Sequence, residues 1–250
     1  MGANTHRYEP ERLEPVAVSL EAELCGRFVR RYKRFFADIE TDAGEAITVH
    51  CANPGSMLGF NRPGAAVRCS TSDNPKRKLR HTLEMMRIGR TWVGLQTQRA
   101  NAVVARVLEA GVLPEFADYA SVRREVRVDG SSRLDFALAG HPHDPRTIYL
   151  EVKSVTLGEA GLARFPDSVT ERGRRHVETL ARLRRAGNRA VLLFLVQRAD
   201  CDRVAPADDI DPAYGESLRA ACAEGVEALA LGARVTSRSI SVERTLPVAL

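Results

Sequence analysis

Thr147-Ile148-Tyr149-Leu150-Glu151-Val152-Lys153 alternates apolar and polar side chains with a period of two, the pattern of a strand. Ile148, Leu150 and Val152 share one face, and Tyr149, Glu151 and Lys153 share the other. Upstream, Arg133 to Leu138 repeats the division, with Leu134, Phe136 and Leu138 expected on one side and Arg133, Asp135 and Ala137 on the other. Strands adjacent in the chain usually pair, which would bring Asp135 beside Glu151 and Lys153. An earlier strand is expected over Val122 to Val128, and before it a short helix over Ala102 to Leu108 that stops at Gly111. Downstream, a helix should begin near Ser168. Ser168 and Glu171 have capping-box spacing, Asp167 is placed to share the cap, and Val169, Val177, Leu180 and Leu183 make an apolar stripe. Ala190 to Val196 reads as a buried strand, 212 to 231 as a helix, and Ser237 to Val248 as a last strand. The order predicts an α/β domain with a mixed sheet over residues 98–250.

Residues 1–97 have a different texture. Short runs such as Glu23 to Ile39, Ala46 to Cys51 and Ala65 to Cys69 are broken by the turns Asn53-Pro54-Gly55-Ser56 and Ser72-Asp73-Asn74-Pro75, which predicts a small all-β barrel or sandwich. Arg27 to Phe36 interleaves cations and aromatics; core packing of Phe28, Phe35 and Phe36 is expected there, with a base-stacking platform as the alternative.

The chain has 250 residues, 44% apolar and 28% charged, enough for two cores and unlike a disordered or coiled-coil sequence. No apolar run nears the roughly 18 residues of a spanning helix, so no membrane partner is expected. The polar start MGANTHRYEPERLEP lacks the order of a secretory signal, and a cytoplasmic location is expected. Cys25, Cys51, Cys69, Cys201 and Cys222 are odd in number and scattered, without a CxxC pair, and are expected to be reduced. The net charge of +5 is unevenly spread: +4 over residues 1–96, +5 over 97–199 and −4 over 200–250. A basic excess in the first 199 residues suits a polyanion such as DNA.

Only four of the 37 basic residues are lysines, and Lys153 alone among them stands outside a basic cluster. Asp135 and Glu151 with the Val152 carbonyl suit Mg²⁺ or Mn²⁺, while a compact ammonium at Lys153 would orient an attacking water or stabilise charge on a phosphate. A surface ion pair is the commoner explanation of a short D…ExK spacing. Three features outweigh it here: the acids end neighbouring strands, a lysine-poor chain spends a lysine there, and an arginine-rich helix follows. Glu125, flanked by Arg123 and Arg127, is the nearest further acid for the metal. Cross-strand pairing with an arginine is its alternative. Arg31, Lys33 and Arg34, then Lys76, Arg77 and Lys78, and finally Arg172 and Arg175 are the candidate phosphate contacts. His176 is read as a helix-face residue or a proton shuttle, and a phosphate contact is one reading of Asn53 to Ser56.

The strings NPGSM (Asn53–Met57), NPKRKLRHT (Asn74–Thr82), SSRLDF (Ser131–Phe136), EVKSVTL (Glu151–Leu157) and FPDSVTERGRRH (Phe165–His176) resemble the sugar fermentation stimulation protein A family. The resemblance runs from about residue 13 to 248. It implies an N-terminal oligonucleotide/oligosaccharide-binding barrel followed by a PD-(D/E)XK nuclease-like domain, with the motif on Asp135, Glu151, Val152 and Lys153. The "PD" half reads Leu134-Asp135 and keeps the acid. The function expected is a DNA-binding protein with an Mg²⁺-dependent phosphodiesterase site. The alternatives are a non-catalytic DNA-binding regulator of sugar-utilisation genes that keeps the nuclease fold, and a metal-binding domain acting on a small phosphate ester. DNA is the expected partner, and the reading also leaves room for a homodimer.

Overall fold

The computed structural model describes residues 11–128 and 132–250; the first ten residues of the polar N-terminal stretch and Ser131 of the SSRLDF string lie outside the described residues. In chain order the elements are β1 (Arg12–Ser19), β2 (Leu24–Tyr32), β3 (Phe36–Thr41), β4 (Ala46–His50), β5 (Ala66–Thr71), β6 (His81–Ile88), β7 (Thr91–Gly94), α1 (Arg99–Ala110), β8 (Ser121–Arg127), β9 (Arg133–Ala139) and β10 (Ile148–Val155). They continue with β11 (Gly158–Glu159), β12 (Leu162–Phe165), α2 (Glu171–Arg185), β13 (Arg189–Val196), β14 (Arg203–Pro206), α3 (Pro212–Ala223), β15 (Glu227–Val235) and β16 (Ser239–Leu246).

Apolar runs without alternation become interior strands, covered on both faces. β13 is buried from Ala190 to Val196 and runs parallel to β10 on one side and β15 on the other. They form the middle of a mixed sheet ordered β1-β16-β15-β13-β10-β9-β8. On one face α1 sets Ala100, Val103, Val104, Val107 and Leu108 at helical spacing against Phe136, Leu138, Ile148, Leu150 and Val152. Gly111, at φ 64°, ends that helix by returning its N–H to the Leu108 carbonyl. The opposite face is covered by α2 and α3, whose Val177, Leu180, Tyr214 and Leu218 pack with Leu192 and Phe194. The alternation expected of Ile148 to Lys153 therefore holds: the even residues face α1, and Tyr149 packs on the α2 side.

Four expectations change. The N-cap of α2 is Thr170, whose hydroxyl accepts from Gly173 N at 3.0 Å, so Ser168 and Glu171 form no capping box and Val169 lies outside the helix, 66% exposed. Asp167 does not cap; its carboxylate reaches across to the barrel. The helix expected over 212–231 ends at Ala223, because Gly225 takes φ 95°, and the apolar stretch after it is β15, inserted between β13 and β16. In β9, Leu134 packs on the α2 side while Phe136 and Leu138 face α1, so the alternation breaks at Asp135.

In the N-terminal half, β2 to β6 wind into a five-stranded barrel that closes where His50 of β4 pairs with Thr82 of β6, and β7 extends it. Phe28, Ile39, Val49, Val67, Leu83 and Met86 fill it. Gly26 is required where β2 crosses β3, since a Cβ there would run into the Glu40 carbonyl oxygen. The run from Glu23 to Ile39 folds back on itself at Lys33 and Arg34, both at positive φ. Phe28 enters the core and Phe36 stacks on Tyr32 at 5.6 Å, but Phe35 stands 41% exposed at the hairpin tip rather than inside. The domain boundary also moves. β1 pairs antiparallel with β16, so residues 12–19 belong to the large sheet rather than to a unit spanning 1–97.

Candidate active site

β9 and β10 share a ladder from Ile148↔Leu138 to Leu150↔Phe136, and there it stops. Beyond it the Asp135 carboxylate takes the place of a backbone rung: Oδ2 accepts the Val152 N–H at 2.8 Å, and Oδ1 accepts from Asn101 Nδ2 of α1 at 2.6 Å. In a strand, the N–H and C=O of one residue point to the same side, so the Val152 carbonyl also faces this gap. Burial, then the nearby Glu151 charge, pushes the Asp135 carboxyl up to about 6 against the Val152 and Asn101 hydrogen bonds.

Glu151 is 4% exposed and Lys153 8%. Lys153 Nζ donates to Glu151 Oε1 at 2.8 Å, and His176 of α2 meets the same oxygen through Nδ1. Burial opposes ionisation of Glu151, yet Lys153 and His176 outweigh it and hold this carboxyl below the usual range. Arg172 Nε lies 3.4 Å from His176 Nε2. The tautomer that serves both contacts carries its proton on Nδ1 toward Glu151 and accepts from Arg172 at Nε2. The other carboxylate oxygen, Glu151 Oε2, is buried without a hydrogen-bond partner among the described residues.

A buried, ionised oxygen with no partner is costly unless something cationic meets it. With the Asp135 carboxylate and the Val152 carbonyl it makes a hard-oxygen donor set that fits a divalent cation such as Mg²⁺ or Mn²⁺. Glu125 does not join it. That residue takes φ 54°, is half exposed and pairs with Arg133 at 2.9 Å, so the cross-strand alternative is the one observed, with Arg133 as partner. Among the described residues no three His, Cys, Asp or Glu side chains are grouped to hold a metal. The set is two acids and a carbonyl.

Over Val152 and Lys153 lies a cleft of about 450 Å³ between barrel and sheet. Lys153, Ser154 and Thr156 form part of its floor, Phe165 to Thr170 with Arg172 one wall, and Arg34, Asn53, Pro54, Gly55 and Thr97 the barrel wall. The Asn53–Ser56 turn is built from within: Asn53 Oδ1 accepts from Gly55 N at 2.9 Å, and Asn53 Nδ2 donates to the Leu95 carbonyl at 3.0 Å. Asp167 Oδ2 accepts the Met57 N–H at 2.8 Å, and Ser56 Oγ donates to the Asp167 carbonyl. A Cβ on Gly55 would come within 2.6 Å of the Asp167 carboxylate, so glycine there permits the approach.

The candidate phosphate contacts separate by position. Arg34 and Arg172 line the cleft. Lys33 is exposed beside Arg34 at the hairpin tip, and Lys76, Arg77 and Lys78 are exposed on the loop between β5 and β6, with Arg77 also bonding Thr82 Oγ1 at 2.8 Å. Arg31 departs from expectation: its guanidinium donates to the carbonyls of Arg34, Asn53, Gly55 and Ser56, so its charge holds the turn. Arg175 faces a groove between α2 and α3, away from Lys153. Sequence reasoning missed Asn101 and Asp167 as site-forming residues and left His176 on a helix face. For His176 a signal was present, since it falls one turn after Arg172 on the helix that follows Lys153.

Family models match along the chain: the SfsA N-terminal OB domain over residues 29–95, and the sugar fermentation stimulation protein RE domain over residues 98–239. A sugar fermentation stimulation protein homolog of Halorhodospira halophila is 51% identical over 225 residues, covering 89% of this chain and 93% of the relative. One of Geobacter sulfurreducens is 47% identical over 223 residues, covering 89% and 94%. The solved structure of Pyrococcus furiosus SfsA in complex with Ca²⁺ superposes with a TM-score of 0.83 at 27% identity, covering 93% of this chain and all of that one.

Proposed function

The chain belongs to the sugar fermentation stimulation protein family, and from that premise we propose that it binds DNA across the barrel and the cleft and hydrolyses phosphodiester bonds at Asp135, Glu151 and Lys153. The observation that carries this reading is the buried Glu151 Oε2, without a hydrogen-bond partner among the described residues, with Lys153 Nζ on the companion oxygen and Val152 and Lys153 lining a basic cleft. The Ca²⁺ bound by the Pyrococcus furiosus relative supports a divalent cation among hard oxygens. Asp135, Glu151 and the Val152 carbonyl would hold it. Such an ion, when bound, lowers the pKa of a water and offsets phosphate charge.

The chain's own groups divide the remaining work. Arg34 and Arg172 bind phosphate oxygens from opposite walls, fixing the strand relative to the floor. Lys153 presents a compact ammonium to the phosphate and the incoming water, where its charge counts most as negative charge grows in the transition state. Lys153 and His176 together hold Glu151 Oε1, so the carboxylate keeps one orientation with Oε2 free. Exposed cations at Lys33 and at Lys76 to Lys78 extend the electrostatic track over the barrel.

A non-catalytic DNA-binding regulator is the second reading, favoured by the same closed pairing of Glu151 with both Lys153 and His176. Incubation of purified protein with single-stranded, duplex and branched DNA in Mg²⁺, Mn²⁺ or EDTA separates the two. Metal-dependent cleavage that Lys153→Ala abolishes supports the nuclease; binding without cleavage under every metal supports the regulator.

A further inference from the structure

The cleft cannot widen easily, because the barrel is tied to the sheet domain on several sides. The chain enters the barrel from β1 and leaves it into α1, both parts of the large domain. Glu84 of β6 is buried and receives Arg99, the first residue of α1, through two bonds of 2.7 Å, with Ser70 and Gln96 on the same carboxylate. Met85 of β6 lies in the core that α1 shares with the sheet, and Trp92 of β7 packs against it. Gly94 N donates to the Gln197 carbonyl at 2.9 Å, and a Cβ on Gly94 would meet the Gln197 side chain at 2.7 Å. At the mouth, Asp167 clamps the Asn53–Ser56 turn. Opening the cleft would strip the buried Glu84 carboxylate of Arg99 and divide a shared core, both expensive.

Its volume of about 450 Å³ therefore limits what reaches Lys153. Pockets of roughly 300–1,000 Å³ enclose one small ligand. A duplex is far wider, since its major groove alone is about 12 Å across and takes a whole α-helix. A single sugar-phosphate backbone is of the scale such a cleft can take, and Arg34 and Arg172 line it for its phosphates. Its bases would meet apolar surface at Pro54 and at exposed Val169, with Phe35 exposed beside Arg34.

We propose that the cleft admits one DNA strand to the catalytic groups and excludes a base-paired one, making single-stranded DNA or an unpaired segment of a branched molecule the substrate. This deepens the phosphodiesterase reading and rests on it only for the cleavage arm of the test.

The test uses the full-length protein in EDTA with fluorescein-labelled oligonucleotides, one single-stranded and one a blunt hairpin duplex, with anisotropy as readout. The single strand is expected to bind about tenfold or more tightly than the duplex. Val169→Trp, at an exposed position, fills the cleft and is expected to erase that difference with an unchanged melting temperature; Arg34→Glu, at the exposed hairpin tip, is expected to do the same by charge. Equal or tighter binding of the blunt duplex, or a preference that survives both substitutions, overturns the proposal. In Mn²⁺, cuts confined to unpaired segments support it, and cutting of blunt duplex at the single-strand rate overturns it while leaving the phosphodiesterase intact. Absence of cleavage in every metal, with the strand preference and its loss in both variants observed, retains the single-strand cleft and removes the nuclease.

Discussion

Asp135→Asn is expected to make the metal-free protein more stable at pH 8 and not at pH 4. The folded structure raises the Asp135 carboxyl from 3.8 to about 6, through burial first and the Glu151 charge second. Below the unfolded pKa the group is protonated in both states and contributes nothing. Between 3.8 and about 6 the unfolded chain ionises while the folded chain does not, so stability falls as pH rises, and the full loss is present above about pH 6. A shift of about two units corresponds to roughly 3 kcal/mol, taken as a ceiling. Asparagine keeps the shape and can still accept the Val152 N–H. Its amide would face the Asn101 amide, which has to turn over to accept, and that adjustment brings the expected gain to about 1–2 kcal/mol. Equilibrium urea unfolding of wild type and variant in EDTA at both pH values measures it. A variant no more stable than wild type at pH 8, or an advantage of equal size at pH 4, would refute the argument that a strained buried charge sits at this position. Adding Mn²⁺ should reverse the ranking, since only the wild type then gains binding energy at the carboxylate.

The other expectations are shorter. Lys153→Ala should lower cleavage by about 10² or more with DNA affinity nearly unchanged, and Lys153→Arg should fail as well, because a planar fork cannot replace a compact ammonium under Glu151; single-turnover assays beside anisotropy read both. His176→Ala frees one side of the Glu151 carboxylate and should weaken Mn²⁺ binding about 10–100-fold by calorimetry, an effect that would be missing if the imidazole only filled space. Gly26→Ala drives a Cβ against the Glu40 backbone and should cost about 1–3 kcal/mol or more, whereas Gly55→Ala meets a side chain, the Asp167 carboxylate, which can yield by giving up its Met57 N–H bond, and should cost less; comparable urea midpoints for the two would contradict that ranking. Reversing Lys76, Arg77 and Lys78 together should weaken single-strand binding and flatten log K against log salt by about 0.7 for each phosphate that is no longer neutralised, and an unaltered slope would remove this loop from the interface.

The strand that carries Glu151 and Lys153 was legible because its chemistry and its period coincide: alternating polarity in Ile148 to Lys153 set the two on one face, and the pairing of strands adjacent in the chain put Asp135 next to them. The strict alternation of β9 failed for a local reason. At Asp135 the side chain captures the Val152 N–H in place of a rung, and the strand turns there. Thr170 outcompeted Ser168 as a cap because Asp167 is held by the barrel and Thr170 N is taken by Asp211 Oδ2, interactions that span the chain and leave no local pattern. Arg31 illustrates the same limit. Within RFVRRYKRFF every cation looks alike, and only the fold tells a guanidinium wrapped by four carbonyls from the solvated Lys33 and Arg34 two and three residues on. The helix expected over 212–231 was lost to composition: an alanine-rich helix passes through Gly225 into an alanine- and leucine-rich strand, and only the glycine marks the change.

The pairing of β1 with β16 has a consequence for how the molecule is made. Glu11 and Thr245 bond although they lie 234 residues apart, so β1 leaves the ribosome long before β16 and waits for it as its partner. Closing so long a loop is entropically slow, and the sheet edge stays open until β16 emerges. The barrel, whose strand pairings are internal to residues 24–94, can be complete well before then. Because β1 and β16 lie side by side at one edge of the sheet, a short linker can join their neighbouring segments and the chain can be reopened within the exposed loop 72–80, giving a permuted protein in which the two strands arrive together.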